Sequence, residues 1–192
     1  MAQEQLVNEL DLNPGDLLLL QIQGWVGKLV WLMQAINRDL SKWTHVAVVL
    51  DDGTVFEAQP GGAVITPLSE YEMRPGRKVT HYQARDFGAG WRHFKYELRP
   101  LAGVLTPQNR RDIVRYAREH VGTGYAWSTY GYLALYRFGV RPLWLKRKIQ
   151  DETRVICSQA GDLFYDLADV HLFNDGRMPY DVTPGDLARL AP

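Results

Sequence analysis

Apolar residues fall along this chain in short blocks whose period changes from one block to the next. Leu17 to Ile22 follows the turn sequence Asn13-Pro14-Gly15-Asp16 and predicts a buried strand, although so short a run also fits a helix on composition alone. Gly24 breaks the block. Beyond it Trp25, Val26, Leu29, Val30, Leu32, Met33 and Ile36 recur at helical spacing, leaving Lys28 and Gln34 for solvent. That pattern predicts an amphipathic helix with a wide buried face whose work is core packing.

The clearest hairpin follows. Trp43 to Leu50 and Thr54 to Gln59 are apolar blocks separated by Asp51-Asp52-Gly53. A three-residue loop with Gly53 in the left-handed conformation sets Leu50 opposite Thr54 and Ala47 opposite Glu57, so that His45, Glu57 and Gln59 share one face. A two-residue loop, Asp52-Gly53, pairs Val48 with Glu57 and moves Glu57 to the face opposite His45. We prefer the longer loop because it gathers the polar side chains of two apolar strands in one place.

Further strands are predicted at Ala63–Pro67, after the Pro60-Gly61-Gly62 turn, and at Val79–Ala84, with a short turn or helix at Leu68–Met73 between them. Thr106-Pro107 opens a helix with a capping residue and a proline at its first position; its stripe is Ile113, Val114, Ala117 and Val121, and it ends near Gly122 or Gly124. From Tyr125 to Ile149 aromatic and basic residues are interleaved, with no acidic residue from Arg137 to Lys148. Residues 137–148 fit a peripheral membrane or partner contact, but such a segment is more often a helix and loop with core aromatics and solvated charges. Near the end, Val182-Thr183-Pro184-Gly185-Asp186-Leu187 is a turn into a short terminal helix.

The block that carries chemistry is Val155-Ile156-Cys157-Ser158. Val155 and Ile156 end an extended segment, while Ala160, Leu163, Phe164 and Leu167 recur at helical spacing up to about Asp169. Cys157 is thereby placed in the first turn of a helix, facing unpaired backbone N–H groups and the positive end of the helix dipole. Alone, that position also suits a small buried apolar residue. A largely ionised thiol needs its pKa lowered by roughly two units, about 2.7 kcal/mol, from the ordinary value near 8.5. A helix terminus supplies only about 0.3–1 kcal/mol. An imidazolium about 4 Å away is worth roughly 4 kcal/mol at an effective dielectric near 20, so a histidine partner closes the gap. His45 with Glu57 on its own face is that candidate: thiolate attacks a carbonyl, imidazole carries the proton, and carboxylate orients the ring. Gln59 is the rival third member.

Composition removes competitors. Lysine plus arginine balances aspartate plus glutamate at 22 each, so no overall charge points to nucleic acid. The single cysteine excludes an internal disulfide framework. His81, His93, His120 and His171 are scattered without metal-ligand spacing, so no metal and no other cofactor is expected. Phosphate-binding and dinucleotide fingerprints and a Gly-Xaa-Ser-Xaa-Gly elbow are absent. With 192 residues, no apolar run of membrane-spanning length and no signal-peptide pattern at Met1–Asn13, the expectation is a single α+β domain over 1–192, cytoplasmic by default.

The order Pro14-Gly15-Asp16, strand, helix, Trp43-Thr44-His45-Val46, Asp52-Gly53, Phe56-Glu57-Ala58, then Ile156-Cys157-Ser158 and Thr183-Pro184-Gly185-Asp186-Leu187, resembles the circularly permuted NlpC-type papain-like superfamily, with its YiiX-like and LRAT-like members. The resemblance spans nearly the whole chain, strongest at 13–70 and 153–190. It implies a papain-like α+β fold with an antiparallel sheet packed against helices, Cys157 as nucleophile, His45 as base and Glu57 as its orienting residue. Tyr125 resembles the tyrosine that lines the site near the oxyanion in that superfamily, although Ala126 follows it where relatives commonly carry aspartate. The implied reaction is acyl transfer to water on a peptide or cell-wall peptide amide, and less often on a lipid acyl substrate. The alternatives are a membrane-surface lipid acyltransferase or hydrolase using the same residues, and a non-catalytic binding module.

Overall fold

The computed structural model describes residues 12–20, 24–36, 40–59, 61–68, 79–82, 105–125, 135, 142, 154–173, 175–177 and 179–190. Its centre is an antiparallel sheet built from β1 (Leu17–Leu20), β2 (His45–Val49), β3 (Thr54–Gln59) and β4 (Gly62–Pro67) in the order β4-β3-β2-β1, with β5 (Val79–Tyr82) paired along the outer side of β1. Among the described residues four α-helical elements accompany it: α1 (Gly24–Ile36), α2 (Pro107–Glu119), α3 (Cys157–Leu167) and α4 (Pro184–Arg189). A two-stranded parallel ribbon joins β6 (Gly124–Tyr125) to β7 (Arg154–Val155) just ahead of α3. The class is α+β, and among the described residues no helix is long and apolar enough to cross a membrane.

The β2–β3 connection is the three-residue loop. Leu50 N–H donates to Thr54 O at 2.9 Å, Gly53 takes φ +73°, and Ala47 lies opposite Glu57. This register divides the sheet into two faces. Leu17, Leu19, Val46, Val48, Phe56 and Ala58 join the core formed with α2 and α3, where the Phe56 ring meets Phe164 edge-on at 5.0 Å. Leu18, Leu20, Ala47, Val49 and Val55 pack on the other face with Leu12 and Leu68. All four leucines of β1 are fully buried because both faces of the strand are covered, which is why the block reads as a continuous apolar run.

The entrance to β1 is held by polar contacts. Asp16, itself buried, forms an ion pair with Arg110 of α2 at 2.9 Å, and the Tyr165 hydroxyl of α3 donates to Gly15 O at 2.5 Å. At α2 the Thr106 side chain accepts from Asn109 N–H while the Asn109 side chain accepts from Thr106 N–H, a reciprocal cap preceding Pro107. The helix ends at Glu119, so Val121 falls beyond its last turn and is exposed, unlike Ile113, Val114 and Ala117. Beyond it, the backbone of 122–123 straps β4: Ala63 N–H donates to Thr123 O and Gly122 N–H to Ala63 O, both at 2.8 Å.

In α1 the pattern of the sequence places Val30 rightly inside but misplaces Leu32, Gln34 and Ile36, while the side chains of Trp25, Val26 and Leu29 lie outside the described residues. Gly27, Val30 and Gln34 face inward, while Trp31, Leu32 and Ile36 are 48%, 50% and 38% exposed. Gln34 is not a solvent residue: it is buried, with its Nε2 donating to Trp43 O at 2.9 Å and its Oε1 without a hydrogen-bond partner among the described residues. Lys28 is exposed, as its charge requires. The basic segment 137–148 lies outside the described residues apart from Pro142, as do most of 68–73 and residues 83–84.

Candidate active site

Ile156 is the residue before α3 and keeps an extended backbone (φ −99°, ψ 162°), so the helix begins abruptly at Cys157. Ile156 has no side-chain acceptor; instead Gln159 Oε1 accepts from Ile156 N–H at 3.3 Å. The first turn is tied down from the other side by Ser158, whose hydroxyl donates to Val182 O at 2.8 Å. Val182 directly precedes the cap of α4, where Asp186 and Thr183 exchange side-chain-to-backbone hydrogen bonds of 3.0 and 3.2 Å. Gly161, one turn on, brings α3 against Leu17, Val46 and Leu187. Packing and capping together set where the Cys157 sulfur lies.

His45 is the first residue of β2, pairs with Leu20 of β1, and points to the sheet face that carries Ala47 and Val49. At this end of the strand its ring hydrogen-bonds to the Cys157 thiol, and its Nε2 lies 2.8 Å from Glu57 Oε2. With Nε2 taken by Glu57, Nδ1 is the nitrogen left for sulfur. Glu57 is fully buried, a costly place for a carboxylate unless its lone pairs are met. They are met by His45 on one oxygen and, on Oε1, by Gln59 Nε2 and Thr66 Oγ1, each at 2.6 Å. Gln59 is thus the support of Glu57 and not its replacement on the ring.

Electrostatics separates charge across the pair. Burial alone would push the His45 pKa down, but the charge and hydrogen bond of Cys157, and then those of Glu57, outweigh it and raise it to about 9. For Cys157, burial pushes the thiol up, yet the His45 charge and hydrogen bond, with the backbone N–H groups of Val46 and Ser158, bring it below its ordinary value. Both shifts favour the thiolate–imidazolium form of the pair, and the backbone donors add to what the helix terminus supplies.

Tyr125 ends β6, pairing with Val155 two residues before the cysteine, and its side chain lies outside the described residues. The side chain of His81 and all of His93 also lie outside them. His120 Nδ1 meets Tyr116 O at 2.8 Å at the end of α2, and His171 pairs with Asp166 at 2.7 Å on the surface. Among the described residues no group of three or more His, Cys, Asp or Glu is arranged to hold a metal ion. A separate cavity of about 660 Å³, lined by Pro14, Asp51, Pro107 and arginines of α2, opens at the far end of β2 and includes none of Cys157, His45 or Glu57.

Thr66 was missed in the sequence. The register of β3 on β4 sets Gln59 against Gly62 and Glu57 against Val64, which leaves Thr66 on the diagonal from Glu57 on the same face. Extending the hairpin register by one more strand would have found it. No protein-family model matches the chain, and no curated protein matches it.

Proposed function

We propose that the protein is a cysteine hydrolase of the permuted NlpC-type papain-like kind, cleaving amide bonds in peptides or cell-wall peptides through a thioester on Cys157. The observation that carries this is the continuous hydrogen-bonded series Cys157–His45–Glu57, drawn from a helix terminus and two strands, with the thiol shifted down and the imidazole shifted up.

In the first step the Cys157 thiolate attacks the scissile carbonyl carbon and the carbonyl π pair moves to oxygen. Backbone N–H groups of the first turn of α3, that of Cys157 among them, are the donors for this oxyanion. The intermediate collapses as His45 Nδ1 gives its proton to the leaving amine, which departs and leaves the thioester. Neutral His45 then takes a proton from water; hydroxide adds to the thioester, the carboxylic acid leaves, and the proton returns to the His45–Cys157 pair. Glu57 holds the ring through Nε2 and stabilises its charge, while Gln59 and Thr66 hold Glu57.

The test uses the one cysteine. Alkylation by iodoacetamide, followed by intact mass against pH, is expected to be fast well below pH 8 in wild type and to lose that low-pH reactivity in His45→Ala. Incubation with a p-nitrophenyl ester as a general acyl donor is expected to leave an acyl group on Cys157. An ordinary thiol titration, indifferent to His45, would sink the hydrolase.

A further inference from the structure

We infer that α1 is a docking surface for an anionic lipid bilayer. Among its described side chains Gly27, Val30 and Gln34 are buried, and Lys28, Trp31, Leu32 and Ile36 are exposed. A tryptophan, a leucine and an isoleucine turned out on one helix make an apolar surface. Leu40, just beyond the helix, is 63% exposed as well.

Charge selects the occupant. Lys28 and Lys42 are the charged side chains described between Gly24 and Trp43; both are exposed and both are cationic. Lys28 stands in the stripe of Leu32 and Ile36, four and eight residues on. Lys42 sits with its ammonium 4.8 Å from the Trp43 ring centre. A tryptophan with large aliphatic residues, in a stretch from Gly24 to Trp43 whose sequence sets Lys28, Arg38 and Lys42 against the single acid Asp39, matches the interfacial zone of an anionic bilayer. There the aliphatic groups enter the acyl boundary, the indole sits at headgroup depth and the lysines meet phosphates.

The surface is also coupled to the site. On the covered side of the same helix Gln34 donates to Trp43 O at 2.9 Å, two residues before His45. A bilayer under α1 therefore lies against the segment that starts β2, and on the hydrolase reading, on which only this consequence rests, it presents substrates held at a membrane to Cys157.

Binding is measured separately from chemistry. Wild-type protein is sedimented with phosphatidylcholine vesicles with and without phosphatidylglycerol, at low and high salt. Binding is expected only with phosphatidylglycerol and to weaken with salt. Leu32→Ser and Ile36→Ser should each weaken it about tenfold, and Lys28→Glu by about fivefold or more. Because these side chains are exposed, thermal melts and the rate of Cys157 alkylation should stay as in wild type, and Trp31→Ser serves as a second variant should either serine variant fail to fold. Loss of vesicle binding with unchanged alkylation supports the docking surface even if no acyl donor is ever cleaved. Absence of binding to anionic vesicles at low salt overturns it, as does wild-type binding by the α1 variants. So does a wild-type dimer that Leu32→Ser dissociates, since a second copy would then be the occupant.

Discussion

Glu57→Gln is the sharpest perturbation of the site because the change is nearly isosteric and its surroundings dictate how the new amide must lie. Gln59 Nε2 and Thr66 Oγ1 both donate to Glu57 Oε1 at 2.6 Å, so the carbonyl oxygen of a glutamine must take that position. Its NH2 group is then turned to His45 Nε2, 2.8 Å away in the wild type, and donor faces donor. The ring escapes by becoming neutral, with Nε2 as acceptor and the proton on Nδ1, where it can no longer accept from the thiol. The gross Coulomb attraction lost at this separation is about 6 kcal/mol at an effective dielectric near 20, but the net worth of a hydrogen bond to a charged group is about 1.5–3 kcal/mol, and the smaller figure governs because both states of the ring are partly compensated. At about 1.4 kcal/mol per pKa unit, this is a fall of roughly one to two units. The imidazolium, which persists in the wild type up to about pH 9, should then be lost at about pH 7–8. Histidine ring resonances followed against pH, with His45 assigned by His45→Gln, measure this directly, and circular dichroism confirms the fold. A His45 midpoint that stays near 9 in Glu57→Gln would refute the role given to the carboxylate.

Two further outcomes follow from the helix that presents the thiol. Asp162, on α3 and 5% exposed, has its pKa raised to about 7, first by burial and then by Asp166, Asp186 and Asp175 against the opposing Arg177. Its folded value lies above its unfolded one, so the native state holds the extra proton: stability is complete below about pH 4 and is lost as pH rises through about 7, by roughly 4 kcal/mol at most for a shift of this size. Asp162→Asn should remove that slope, and urea unfolding of both proteins from pH 5 to pH 8, on a scale where other groups cancel, should show a gap that widens with pH; parallel profiles would rule it out. Gly161→Ala places a methyl group 3.5 Å from Leu17 and 3.7 Å from Val46, ordinary contacts, so the gain in helix propensity should prevail and raise stability by about 0.5–1 kcal/mol. A lower midpoint in denaturant would mean that α3 cannot give the little room the methyl needs.

Much of the site was legible before any tertiary structure. A loop of Asp51-Asp52-Gly53 admits only two registers, and the preference for gathering polar side chains picked the one in which His45, Glu57 and Gln59 share a face. The start of α3 at Cys157 was equally readable, because a run of extended, β-branched residues gives way there to helical spacing. Both are local: turn chemistry and periodicity act over a few residues. Which groups would meet across long stretches of chain was another matter. Cys157 and His45 lie more than a hundred residues apart, and their contact follows from packing α3 on β1 and β2, which composition only makes plausible. The support of Glu57 by Thr66 needed the register of a third strand, and the choice between Glu57 and Gln59 on the imidazole needed distances. The covered side of α1 was legible only in part: Val30 is buried and Lys28 exposed as the pattern predicts, whereas Gln34, Leu32 and Ile36 are reversed. A hydrophobic stripe says that a helix has an apolar face, but what that face meets is decided by the rest of the fold, and here Gln34 is buried with a hydrogen bond to Trp43 O while Leu32 and Ile36 are exposed.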